Sequence, residues 1–497
     1  MTVTSLYFFI FLALGVLIYY IVPSKVQWIV LLCLSVTFYC FAADPLSLIY
    51  PVSSTVVAYL ATCYIDSNRN DEKQTGKCKT AAIAACMINA IIWFVIRGTA
   101  LWSVGLKLIS VTTGRDVSID QSGLLVSLGI GYYTLQVISY IVDVHKGTVP
   151  PQRNILKLFL YLIFFPQLTV GPINRYSRMQ GLYGEHSFSY QNLTSGAQRI
   201  LWGLFKKLVI SDRIAVIVTG IWDGKASYSL IWVWAAVLLY TFQLYTDFSG
   251  CMDIVIGAAG LFDIEMTENF KSPFYATTIR EFWQRWHISL SDWLRDYIYI
   301  PLGGNRKGQR RKYLNLLVSL LVSGLWHGSV QTVIFFGLFL GAVMIGSDIL
   351  APAFDKIDTV LRVKKDSFGW KLFQRFRTYT LFGIGVMCFS AEGLKETLVR
   401  FRYMFLPSVA PDPWTLFDGT ILNTGVTWQD INIILVGFLL VMVVDMLREK
   451  YGSARIWISS QGIIFRWGIW LMLLVAVVIL GHYGPEYDAS HFIYQGF

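Results

Sequence analysis

Two histidines, His287 and His327, stand 40 residues apart in a chain that is otherwise mostly apolar. His287 lies in the run Arg280-Glu-Phe-Trp-Gln-Arg-Trp-His-Ile-Ser-Leu-Ser-Asp-Trp-Leu-Arg-Asp296, which holds three Trp, three Arg and two Asp in 17 residues. His327 closes Ser323-Gly-Leu-Trp326-His-Gly328, and Asp247 and Asp253 precede both in Tyr245-Thr-Asp-Phe-Ser-Gly-Cys-Met-Asp253. Imidazole titrates near neutrality and can take a proton from a hydroxyl. The chain has no G-x-S-x-G elbow, no H-E-x-x-H helix and no P-loop. What remains is general-base activation of an acceptor hydroxyl against an activated acyl donor, which needs no metal and no serine nucleophile.

The frame around these residues is a membrane. Of 497 residues, 55% are hydrophobic and 14% charged, against about 25% charged in a soluble domain. With a mean hydropathy of +0.54, this excludes a soluble enzyme, a disordered chain and a coiled coil. The apolar runs are too long and continuous for an outer-membrane barrel. The fold class expected is an all-α polytopic membrane protein. A crossing needs about 20 apolar residues. The runs 4–22, 27–43, 46–65, 80–97, 154–171, 200–219, 229–246, 330–350, 431–447 and 464–481 qualify. Shorter or interrupted runs at 100–113, 122–142, 250–262, 313–326 and 378–391 read as further spans, half-helices or re-entrant segments. About 11 crossings are expected. They divide into N-terminal helices (1–115), a core (116–350), C-terminal helices (351–481) and a tail (482–497). Met1 to Tyr20 lacks a basic leader and a cleavage site, so it reads as a first span and not a removed signal.

The net charge of +10 reads as the positive-inside rule and not as nucleic-acid binding. Basic residues gather at 69–79, 146–157, 306–312, 364–377 and 448–455. Placed in the cytoplasm, these clusters put the C-terminal tail outside the cell. The seven cysteines form no C-x-x-C, so no zinc site or disulfide framework is suggested.

Charges at membrane depth are costly and are usually paired or functional. Asp247 and Asp253 are expected to pair with an arginine such as Arg280, Arg285 or Arg295. As one helix, 280–296 would place Trp283, Trp286, Leu290 and Trp293 on a single face. That helix could lie at the interface or fold inward to line a wet cavity. From Tyr313 to Leu325 a helix would be about 20 Å long, shorter than the hydrocarbon core. His327 would then sit inside the membrane or near its outer boundary. A histidine there either makes a packing hydrogen bond or does chemistry. The second histidine and the neighbouring Asp and Arg favour chemistry.

These residues also carry a resemblance. Asp247-Phe-Ser-Gly, Glu268-Asn-Phe, Arg280-Glu-Phe-Trp…Arg-Trp-His287, Tyr299-Ile-Pro-Leu-Gly-Gly and Ser323-Gly-Leu-Trp-His327-Gly resemble the membrane-bound O-acyltransferase family. More narrowly, they are similar to its bacterial branch of alginate O-acetylation and teichoic-acid D-alanylation proteins. Gly129-Ile-Gly-Tyr-Tyr…Asp143 and Phe164-Phe-Pro-Gln…Gly171-Pro-Ile-Asn-Arg175 match too. The resemblance implies a ring of tilted helices around a thinned centre and a cytoplasmic funnel for a thioester donor. It also implies a pore that passes the acyl group outward. It makes His327 the catalytic histidine and His287 its second active-site histidine. Asp247, Asp253, Arg285, Trp286 and Trp326 become pore-lining or supporting residues. Alginate-type members continue with Trp-Gly-x-x-His-Gly where this chain has Phe336-Gly-Leu-Phe-Leu340-Gly341. Leu340 thus stands where they place a histidine.

The chain ends Phe492-Ile-Tyr494-Gln-Gly-Phe497. This resembles the terminal motif of the small membrane partner in teichoic-acid D-alanylation and implies that Tyr494 relays the acyl group. An aromatic tail packed at the interface would show the same residues. The expected function is transfer of an acyl group, acetyl first, across the bacterial cytoplasmic membrane to a cell-surface or secreted polysaccharide. The donor would be acetyl-CoA or an acyl-carrier protein, with no bound cofactor or metal. An extracellular SGNH or esterase-like transferase, the glycopolymer and membrane lipid would be the partners. D-alanyl transfer from a carrier protein, or a transporter using the His and Asp as a path, are the alternatives.

Overall fold

The computed structural model describes residues 1–98, 101, 103, 106, 125–224, 229–406 and 412–483. Among these, every regular element is helical, apart from single bridge pairings such as Phe270 with Trp286. Seven helices are long and apolar enough to cross a membrane. They are Ser24–Ala42, Pro45–Ser67, Glu72–Arg97, Leu230–Leu261, Thr332–Val360, Trp428–Tyr451 and Ile463–Leu480. Leu6–Ile21 is apolar but shorter. The protein is therefore a polytopic helical membrane protein.

Fewer long spans form than hydropathy alone predicts, because two apolar runs serve the interior. The 154–171 run is not one helix. Ile155–Ile163 stops at Phe164, and Phe165–Leu168 follows as a separate turn with Pro166 in its first positions. Proline suits a helix start but not a helix interior. Phe164 and Phe165 are fully buried, so this apolar run feeds a core and not lipid. The 200–219 run is part of an unbroken helical stretch of three pieces, Tyr190–Leu204, a π-helical turn over Phe205–Ser211, and Asp212–Trp222. All seven residues of the π turn are buried, Lys206 and Lys207 included.

The described chain forms two compact units. The first comprises Met1–Ile200 and Cys251–Thr267. Its core includes Ile130–Lys146, bounded by Gly129 and Gly147 in left-handed conformation, with Tyr132, Tyr133 and Tyr140 fully buried. The second comprises Leu201–Gly250 and the described residues of Glu268–Asp488. The helix Leu230–Leu261 contributes residues to both. At 32 residues it is about 48 Å long. It joins what the sequence suggested were separate segments, 229–246 and 250–262. Asp247, Ser249 and Asp253 do not interrupt it, because their side chains are satisfied inside the protein.

In the second unit, Gly308–Trp326 starts five residues earlier than the apolar run from Tyr313 suggested, with Arg310, Arg311 and Lys312 in its opening turns. Its 19 residues give about 28 Å. It packs in a tight hairpin against the π turn Thr332–Phe339 and the Leu340–Val360 helix. A Cβ on Gly324 would lie 2.7 Å from the Thr332 carbonyl oxygen and 2.8 Å from Val333 Cα, so only glycine permits that approach. His327 sits at the turn of this hairpin.

Candidate active site

His327 follows the last residue of the Gly308–Trp326 helix and is buried. Gly328 turns the chain with φ +83° and donates its N–H to the Leu325 carbonyl at 2.8 Å. The imidazole is enclosed edge-on by aromatic rings. Phe336 lies 4.9 Å away, Phe389 4.8 Å and Trp326 4.9 Å, centroid to centroid. A neutral imidazole is the form a general base requires.

His287 is held differently. The expected single helix over 280–296 is two short ones, Ile279–Arg285 and Ile288–Leu294, broken at His287. His287 has φ +46° and ψ 52°, a left-handed conformation that side chains other than Gly, Asn and Asp seldom adopt. Backbone pairing imposes it. Phe270 and Trp286 form an antiparallel bridge, Lys271 N–H donates to Arg285 at 2.9 Å, and Ile288 N–H donates to Asn269 at 3.0 Å. The break does not expose the aromatic face: Trp283, Trp286, Leu290 and Trp293 are all buried. The segment therefore folds inward and is not an interfacial amphipathic helix.

The Asn269 side-chain oxygen accepts from Ser289 N–H at 3.0 Å and Ser289 Oγ at 2.9 Å, and lies 3.3 Å from His287 Nδ1. His287 Nε2 has no hydrogen-bond partner among the described residues. Burial pushes the His287 imidazole down, to about 3, so it is neutral across the physiological range. The two histidines meet one indole. Trp326 lies 6.0 Å from the His287 ring and 4.9 Å from that of His327. Phe248, next to Asp247, packs edge-on against His287 at 5.0 Å.

The aspartates are paired, but not with the expected arginines. In the second unit Asp247 lies 2.8 Å from Lys207 Nζ, which also contacts Asp212 at 2.8 Å. In the first unit Asp253 accepts from Arg199 Nε at 2.8 Å. Arg280 pairs with Asp348, Arg285 with Glu281 and Glu449, and Arg295 with Asp292 and Asp296. These three arginines are more exposed and find acids nearer the polar surface. The partners that sequence reasoning missed are Arg199 and Lys207; Lys207 and the adjacent Lys206 lie inside the 200–219 run. Adjacent lysines at membrane depth are as costly as the aspartates unless they are paired. Lys206 donates to Ser249 Oγ at 2.8 Å. Asn269 was visible only as part of Glu268-Asn-Phe.

Leu340, where a histidine stands in alginate-type members, is fully buried and would block a side chain at Gly385, whose Cβ would fall 2.7 Å from Leu340 Cγ. Tyr494 lies outside the described residues. Among the described residues no group of three or more His, Cys, Asp or Glu is placed to hold a metal ion.

The model of the membrane-bound O-acyltransferase family matches residues 150–391, a stretch that contains both histidines. A probable alginate O-acetylase, AlgI, of Pseudomonas syringae pv. tomato is 34% identical over 288 residues, 57% of this chain and 52% of that protein. A probable alginate O-acetylase of Azotobacter vinelandii is 30% identical over 418 residues, 84% of this chain and 79% of that protein. A peptidoglycan O-acetyltransferase of Helicobacter pylori is 38% identical over 248 residues, 44% of this chain and 47% of that protein. The chain thus spans about half the length of two of these relatives.

Proposed function

Because the chain belongs to the membrane-bound O-acyltransferase family, we propose that it moves an acyl group, acetyl first, from a cytoplasmic thioester across the membrane. The acyl group ends on a hydroxyl of a cell-surface or secreted polysaccharide. The observation that carries this reading is the enclosure of His327 by Trp326, Phe336 and Phe389, with His287 packed edge-on against the same Trp326. His327 takes the proton of the accepting hydroxyl as its oxygen attacks the thioester carbonyl. The C–S bond breaks, the ester forms, and the proton returns from His327 to the leaving thiolate. The names of the alginate and peptidoglycan relatives support acetyl as the group and a glycopolymer as the acceptor. About 11 crossings, a cytoplasmic funnel for acetyl-CoA or a carrier protein, and an outward pore complete this reading. So do an external C-terminus, Tyr494 as the first acceptor hydroxyl and an extracellular esterase-like transferase.

The test is acyl release from thioester donor in proteoliposomes, with mass spectrometry of the protein and of added polymer. His327→Ala is expected to lower transfer by at least about 10²-fold while the protein stays folded. Wild-type rates in that variant would sink the assignment. A D-alanyl mass on the product would replace acetyl as the group. Transport of donor without loss of its acyl group would point to a transporter. Tyr494→Phe separates relay from direct transfer: unchanged polymer modification would remove Tyr494 from the path.

A further inference from the structure

Asn269 and His287 together define a proton position. The Asn269 side-chain atom that meets Ser289 N–H at 3.0 Å must be its oxygen, because a backbone N–H can only donate. That same oxygen faces His287 Nδ1 at 3.3 Å. A ring nitrogen aimed at an acceptor carries the proton, so the neutral imidazole has Nδ1–H and leaves its lone pair on Nε2. The backbone fixes the arrangement from both sides. Ile288 N–H donates to the Asn269 carbonyl at 3.0 Å, and the left-handed φ of His287 turns the ring towards that side chain. Nε2 is buried and has no hydrogen-bond partner among the described residues.

We infer that Asn269 is a positioning residue that locks His287 in the Nδ1–H tautomer, so that His287 offers Nε2 to the reaction as a hydrogen-bond acceptor. The consequence separates two roles otherwise equally open to this histidine. A ring that polarises the thioester carbonyl must donate a hydrogen bond from Nε2, and this tautomer cannot. A ring that orients the accepting hydroxyl must accept at Nε2, and this tautomer does. His287 therefore acts on the hydroxyl side of the transfer. The role on that side rests on the acyl-transfer reading; the tautomer does not.

The test reads the two apart. In full-length protein labelled with 15N-histidine, with His287→Gln used for assignment, the resting enzyme should show His287 with a protonated Nδ1 and an unprotonated Nε2. This measurement needs no donor or acceptor. Asn269→Ala should shift that population towards Nε2–H and lower kcat on the order of 10²-fold, with KM for the thioester within about twofold. Asn269→Asp, which keeps an oxygen in place, should restore the tautomer and most of kcat. A protonated Nε2 in the wild-type resting enzyme overturns the inference. So does an Asn269→Ala enzyme with unchanged kcat. If His327→Ala keeps full transfer while the tautomer is as stated, the acyl-transfer mechanism fails and the lock stands.

Discussion

Lys207 places its Nζ 2.8 Å from an Asp247 oxygen, with only 2% of the one side chain and 1% of the other exposed. The same Nζ lies 2.8 Å from Asp212, so one ammonium serves two carboxylates. Removing one partner of a buried ion pair costs about 3–5 kcal/mol, mostly through the charge left behind. Lys207→Met takes the shared ammonium from both carboxylates, whereas Asp247→Asn leaves Lys207 with Asp212. Lys207→Met should therefore lower the detergent unfolding temperature well beyond Asp247→Asn. Equal losses would show that the ammonium does not tie the two acids together.

Acidification should leave His287 uncharged. Burial keeps His287 neutral, at about 3, so its charge state does not change as pH falls from about 8 to about 5. In full-length protein labelled with 15N-histidine, the His287 ring should keep the pattern of a neutral imidazole throughout that range. An imidazolium pattern for His287 above about pH 5 would show that burial does not hold it neutral.

At His287 the order of glycine and alanine should reverse. In a helix interior glycine is worse than alanine, but at φ +46° a Cβ costs about 1–2 kcal/mol. His287→Gly should unfold at a higher temperature than His287→Ala, although both lose the imidazole. Thermal unfolding of the two variants side by side decides it, and a more stable alanine variant would show that the strain is not there.

The hairpin that presents His327 gives a paired test. Gly324→Ala forces a Cβ to within 2.7 Å of the Thr332 carbonyl oxygen. Overpacking of this kind costs about 1–3 kcal/mol and would shift the turn carrying His327, so stability and transfer should fall together. Gly346→Ala, in the second arm of the same hairpin and with nothing within 4 Å of the added carbon, should be neutral or stabilising by up to about 1 kcal/mol. If Gly324→Ala behaves like Gly346→Ala, close helix approach is not what holds the turn.

The lipid-facing spans were legible because hydropathy adds along a run. Gln27–Ala42, Trp428–Tyr451 and Ile463–Leu480 lie within a few residues of the runs 27–43, 431–447 and 464–481. Interior helices were not legible by the same rule. Asp247, Ser249 and Asp253 looked like interruptions, yet their side chains are paired along one long helix. The 154–171 run looked like a span, yet its helix ends at Phe164 and residues 160–168 are buried. Nothing local marks the break at His287, since no Gly or Pro occupies 286–288. It is set by pairing with a strand-like segment 17 or more residues upstream, around Asn269 and Phe270. Both histidines were visible as the unusual residues of their runs, with Trp326 beside one of them and Asn269 within Glu268-Asn-Phe, but Phe389, which completes the cage of His327, stands in no distinguishing local pattern.

The buried lysines also constrain how the protein is made. Lys206, Lys207, Asp212 and Arg213 all lie within the stretch that runs to Trp222, and each charge costs about 3 kcal/mol when a lone helix enters the bilayer. Asp247 and Ser249, which meet those lysines, belong to the next helix, beginning at Leu230. Neither helix is a good passenger by itself. The second helix, which carries Asp247 and Ser249, is therefore expected to ease the entry of the first into lipid.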